Sequence, residues 1–114
     1  MTLRFETLPP STNHLYRRTS RGVSLIESVR QAKDAIGCEA RSQFHGEPLA
    51  GDLAVTIDLY WPDRRKHDVD NVKALLDALN GIVWEDDGLI VDLHIRKHFD
   101  KAKPRVELFV SAAS

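Results

Sequence analysis

Cysteine is almost absent from this chain of 114 residues: Cys38 stands alone, so no disulfide can form within it. That usage fits a reducing compartment, and its place in the middle of a helical pattern predicts a small buried apolar residue. Long apolar runs are also missing. Nothing approaches the roughly 20 residues that span a bilayer, and the opening MTLRFETLPPS has neither the basic start nor the apolar centre of a secretory leader. The expectation is a cytoplasmic protein with no membrane partner. There is no glycine-rich phosphate cradle, which disfavours a nucleotide cofactor, and the five histidines lack the spacing of a zinc site. Repeats and low-complexity segments are lacking too. Even a charge excess is missing, since the net value is −1 where many DNA-binding domains are plainly basic.

What the chain does hold is enough apolar material, 42% against 29% charged, for one compact domain over residues 1–114. The near-zero total conceals local excesses. Basic residues gather from His14 to Arg21, at Arg64, Arg65, Lys66 and His67, and from Arg96 to Arg105. The offsetting acids are partly concentrated in one stretch, where a bound cation would cancel several charges. A basic DNA face around an acidic metal pocket is compatible with such a balance.

That acidic stretch runs from His67 to Asp87 and contains five aspartates. Asp68 and Asp70, two apart in an extended lead-in, leave the same side of the backbone and can share one cation. Magnesium suits them, because it takes hard oxygen ligands and needs only one or two protein carboxylates, leaving room for water and phosphate. Such an ion serves phosphodiester hydrolysis. Val72, Leu75, Leu76 and Leu79 form an apolar stripe that predicts a helix from about Asn71 to Asn80, with Asp70 as N-cap and Gly81 as stop. Asp70, Lys73 and Asp77, spaced three and four apart, lie together on a face away from that stripe. Beyond it, the pair Asp86 and Asp87 returns the chain to the next strand, where a third carboxylate would complete the shell. The basic run Arg64, Arg65 and Lys66 just before Asp68 would meet phosphates flanking a scissile bond.

The remaining elements follow from periodicity. Leu3 and Phe5 point inward from a short strand that ends at Pro9 and Pro10, and Ser11 to Arg21 reads as an irregular loop or loose hairpin whose Tyr16 and Arg17 suit phosphate contact. Ser24 to Glu27 reads as a capping box opening a helix to about Phe44, with Ile26, Val29, Ile36, Ala40 and Phe44 buried and Arg30, Lys33, Asp34 and Arg41 solvated. Leu53, Val55, Ile57, Leu59 and Trp61 alternate as the clearest strand. Leu89, Val91, Leu93 and Ile95 mark a second, with His94 and His98 on its polar face. Val106, Leu108 and Val110 mark a third, expected to be the antiparallel neighbour of the second. The expected class is α+β, a two-layer sandwich with a mixed sheet and two main helices on one face, its strand, helix, strand passage forming a parallel crossover.

The run from Asp68 to Asp87, DVDNVKALLDALNGIVWEDD, resembles the signature of the RusA-like Holliday junction resolvases, small phage and bacterial endonucleases. The run PPSTNHLYR from Pro9 to Arg17 is similar to that family's opening motif. The resemblance covers nearly the whole chain. It implies a magnesium-dependent, or manganese-dependent, homodimeric endodeoxyribonuclease that resolves four-way DNA junctions by paired symmetric nicks in recombination and repair. It further implies Asp68, Asp70 and Asp87 as metal-binding catalytic carboxylates, Lys73 as the catalytic helix lysine, and Asn13, Tyr16 and Arg17 facing the active site or the DNA. One departure stands out. The family usually has two residues between the asparagine and the lysine, whereas only Val72 separates Asn71 from Lys73 here, a change that swings the lysine by about 100° unless the helix starts later. Two other readings fit parts of the pattern: a non-catalytic or weakly catalytic branched-DNA-binding module, and a metal-dependent hydrolase of a small phosphorylated substrate.

Overall fold

The computed structural model describes residues 1–9, 22–63 and 72–113, with side chains throughout except for residues 22–28. Along the chain lie β1 (Thr2–Phe5), α1 (Gly22–Gln43), β2 (Leu53–Trp61), α2 (Val72–Ala78), a single 3-10 turn (Asp87–Leu89), β3 (Ile90–Phe99) and β4 (Arg105–Ala112). The sheet order is β1-β4-β2-β3, with β2 and β3 parallel and β4 antiparallel to both β1 and β2. This is the expected α+β sandwich with a mixed sheet.

β2 is central because of its composition. Leu53, Val55, Ile57, Leu59 and Trp61 alternate perfectly and are all buried, while Ala54, Thr56, Asp58 and Tyr60 on the opposite face stay half-buried. Against the buried face pack Ile36 and Ala40 of α1 and Val72, Leu75, Leu76 and Leu79 of α2 and its exit, in one core that also takes in Leu3, Phe5, Val106, Leu108 and Val110. Both helices therefore cover the same side of the sheet. At roughly 25 cal/mol per Å² of apolar area removed from water, this shared face is the main source of stability. α1 is also tied to the edge strand by polar contacts: the Gln43 amide donates to the Arg4 carbonyl at 2.6 Å and accepts from the Arg4 N–H at 2.8 Å.

Five local expectations need correction. β3 and β4 are not neighbours, because Val106, Leu108 and Val110 pair with Leu59, Ile57 and Val55 at the middle of the sheet. That position buries their whole inward row, and the connection crosses the end of β2, where the Asp100 N–H donates to the Trp61 carbonyl at 2.8 Å. In β3, the register slips between the Leu53/Ile90 and Ala54/Asp92 pairs, so Val91 is the extra residue of a bulge and Ile90, not Val91, shares the face of Leu93. Leu89 belongs to the 3-10 turn. The long helix begins at Gly22, which puts Ser24 inside its first turn and not at the cap. Cys38 is exposed. It sits two residues from buried Ile36, roughly 200° around the helix and away from the core stripe.

Candidate active site

Burial of Val72, Leu75 and Leu76 orients α2 and turns Lys73 and Asp77 away from the sheet. They are one turn apart, and the Lys73 Nζ stands 3.0 Å from Asp77 Oδ1. The same ammonium donates to Asp87 Oδ2 at 2.8 Å. The shortened spacing after Asn71 has thus not carried the lysine away from the third predicted carboxylate. Helix α2 is described from Val72, with Lys73 in its first turn.

Asp87 reaches this position through a tightly folded return. α2 ends on Ala78, and Gly81 takes φ +79, a left-handed conformation that a side chain would disfavour. Its N–H donates to the Trp84 carbonyl at 2.7 Å, while the Trp84 indole, fully buried, donates to Asn80 Oδ1 at 2.9 Å. The loop before β2 straps the return in place. The Leu49 N–H donates to the Val83 carbonyl at 2.8 Å, and the Glu85 N–H donates to the Leu49 carbonyl at 3.0 Å. Asp86 then caps the 3-10 turn by accepting from the Gly88 N–H at 2.8 Å, which leaves the neighbouring Asp87 to face α2. The two consecutive aspartates divide the labour: one shapes the backbone and the other meets the lysine.

The electrostatics follow from these contacts. The Lys73 ammonium holds the Asp87 carboxyl below the usual carboxylate range, outweighing the upward push of burial. In return, Asp87 first and Asp77 second hold Lys73 well above its ordinary value, so it is a fixed positive charge at any physiological pH. The Asp87 side chain is only 16% exposed. Lys33 of α1 approaches the other oxygen of Asp77 at 3.8 Å, making a row of alternating charges across the two helices. The helical pattern of α1 by itself places Lys33 on a solvated face. No pattern within one helix could have signalled its role, because the contact depends on how α1 and α2 pack.

On the open face of the sheet lies a second polar cluster. Asp58 accepts from Arg96 Nε at 2.7 Å and Nη2 at 3.0 Å and contacts His98 Nε2 at 2.7 Å. Burial pushes the Asp58 carboxyl up, but its bonds to Arg96 and His98 prevail and hold it below the usual range. Tyr60 stacks on His98 with ring centroids 4.6 Å apart, and the Arg105 guanidinium lies 3.8 Å from the Tyr60 ring centre. His98 is thus engaged by a carboxylate, and His94 contacts Asp92 at 3.1 Å, so both imidazoles stay on the polar face as expected.

Of the residues expected to form the site, Lys73 and Asp87 are brought together. Asp68, Asp70, Asn13, Tyr16, Arg17, Arg64, Arg65 and Lys66 lie outside the described residues. Among the described residues no group of three or more histidine, cysteine, aspartate or glutamate side chains gathers as a metal site. The donor chemistry nonetheless suits a hard divalent cation, since Asp87 offers carboxylate oxygen from a mostly buried side chain.

Comparison with known proteins assigns the class. The family described as Endodeoxyribonuclease RusA matches residues 7–111. A crossover junction endodeoxyribonuclease RusA from Escherichia coli strain K12 is 33% identical over 109 residues, covering 92% of this chain and 91% of that protein. The protein of the same name from Enterobacteria phage 82 is 34% identical over the same length, and one from Aquifex aeolicus is 38% identical over 71 residues, or 60% of this chain and 56% of that protein. An α+β sandwich carrying a helix lysine against an aspartate, in a chain matched along nearly its whole length, is an endodeoxyribonuclease. The chain belongs to the RusA family.

Proposed function

We propose that this protein is a divalent-metal-dependent endonuclease that resolves four-way DNA junctions by paired symmetric nicks, working as a two-fold dimer. The observation that carries the reading is the Lys73 to Asp87 contact of 2.8 Å, which joins the two halves of the family signature across the α2 return. Asp68, Asp70 and Asp87 would hold magnesium or manganese. Such an ion, when bound, supplies Lewis acidity and a nucleophilic water for phosphodiester hydrolysis.

The chain's own residues do the rest. Asp87 and Asp77 fix the Lys73 ammonium so that its positive charge stands ready to stabilise the charge that develops on the phosphate oxygens in the transition state. A charge already oriented needs no reorganisation at the moment of reaction. Arg64, Arg65 and Lys66, with Asn13, Tyr16 and Arg17, would contact phosphates and set the register of the DNA without reading its sequence. A four-way junction requires two opposed cuts, and a two-fold assembly supplies two sites of matching geometry.

The test is incubation with a labelled four-way junction, with and without magnesium, beside Asp70→Asn and Asp87→Asn. Symmetric nicks that need the metal and vanish in both variants support the reading. Junction binding that persists in the variants while magnesium changes nothing in the wild type refutes it and leaves a binding module. Cleavage of small phosphodiesters with little salt-dependent DNA affinity points to a small-substrate hydrolase.

A further inference from the structure

Lys33 reaches the site from a different helix, and its placement follows from how α1 is buried. Ile36 and Ala40, four apart, put one row of α1 into the core. Lys33 and Gly37, also four apart, form the next row, at the edge of that stripe. A Cβ added to Gly37 would lie 3.4 Å from Ile82 Cδ1 and 3.9 Å from the Ala78 carbonyl oxygen, so α1 approaches the end of α2 with room for little more than a methyl group. This close packing sets the reach of Lys33, whose ammonium stands 3.8 Å from Asp77 Oδ2 while Asp77 Oδ1 faces Lys73 at 3.0 Å. The Lys33 side chain is 38% exposed against 68% for Lys73, so it is the less free of the two. Asp77 occupies the last turn of α2, where the helix dipole disfavours a carboxylate and favours cations beside it. Two lysines from two helices therefore share one carboxylate, an oxygen each.

We propose that Lys33 is a positioning residue for junction cleavage: by occupying Asp77 Oδ2 it fixes the carboxylate so that Oδ1 holds Lys73 against Asp87. A carboxylate engaged at one oxygen only can turn about its last side-chain torsion, which is broad and shallow. With a cation at each oxygen, that rotation is opposed at both ends. Lys73 is sensitive to it because its ammonium has two competing acceptors, Asp77 Oδ1 at 3.0 Å and Asp87 Oδ2 at 2.8 Å. If Asp77 turns, the balance between them changes and the ammonium moves. Lys33 thus acts through Asp77 on Lys73 and makes no contact of its own with the DNA. The inference rests on the reading of Lys73 as the catalytic charge, and it adds α1 to the elements that set the site.

The test compares single-turnover cleavage of a labelled four-way junction by the wild type, Lys33→Met, Lys33→Arg, Asp77→Asn and the double variant of Lys33→Met with Asp77→Asn. Lys33→Met should slow the cleavage step by about two- to five-fold, the range that an ion pair open to solvent supplies, with junction affinity, its salt slope and the melting temperature unchanged. Lys33→Arg should restore the rate. In the Asp77→Asn background Lys33→Met should have no further effect, because the route through the carboxylate is already gone. An unchanged rate in Lys33→Met, or the same loss with and without the Asp77 carboxylate, overturns the proposal. So does a loss of affinity with a shallower salt slope, which would make Lys33 a direct phosphate contact. A readout independent of cleavage is the Lys73 ammonium signal in nitrogen–proton correlation spectra of the lysine side chains, identified by its absence in Lys73→Met. It should shift or broaden in Lys33→Met and in Asp77→Asn, and return in Lys33→Arg. A signal indifferent to Lys33 refutes the positioning role alone, whereas a wild type that leaves junctions intact while the signal responds refutes the resolvase reading alone.

Discussion

Lys73 and Asp87, fourteen positions apart and on different elements, meet at 2.8 Å between Nζ and Oδ2. The contact joins the outward face of α2 to the turn that opens β3, and it is closed by the Asp77 carboxylate at 3.0 Å on the other side of the ammonium. A side chain as long as lysine is ordinarily free to wander. Two carboxylates, those of Asp77 and Asp87, hold it in one place.

Replacing Lys73 with methionine keeps the length and removes the charge. Removing one preorganised stabilising group costs about 10²–10³ in rate. Single-turnover cleavage of a labelled junction should fall by that order, while junction affinity by gel shift changes only a few-fold.

Asp77→Asn leaves the lysine one carboxylate. The pair is open to solvent, which screens it, so cleavage should fall only a few-fold with affinity unchanged. Asp77→Glu, which keeps the charge within reach, should recover part of the loss. A fall as large as that of Lys73→Met would assign Asp77 a direct part in the chemistry.

Trp84 anchors the return that delivers Asp87. Truncating a fully buried large aromatic costs about 3–5 kcal/mol, and Trp84→Ala also removes the bond to Asn80 Oδ1. The melting temperature should drop sharply. Trp84→Phe, which retains most of the packing, should keep the fold while loosening the loop, seen as a larger loss of cleavage than of stability.

Asp58 links acid stability to the open face. Its folded-state carboxyl sits below the unfolded value because Arg96 and His98 outweigh the effect of burial. A depressed carboxylate contributes stability that is present above the unfolded pKa, near 3.9, and is lost as pH falls through the folded value. Denaturant unfolding of the wild type should therefore weaken below about pH 4, with part of that slope absent in Asp58→Asn.

Much of this was legible in the chain itself. The buried rows of β1, β2 and β4, the two helices, their shared face and the neighbourhood of Lys73 and Asp77 on α2 all follow from periodicity and residue type. These are local properties, set by which side of a backbone each residue leaves. What no local pattern held is which elements end up adjacent. That β4 inserts beside β2 and leaves β3 at the edge, that Lys33 of one helix reaches Asp77 of the other, and that Cys38 faces solvent are outcomes of competition for the sheet centre and of helix packing. Tertiary structure decided them, because apolar area is buried by the whole chain at once and the strand with the most to bury takes the middle.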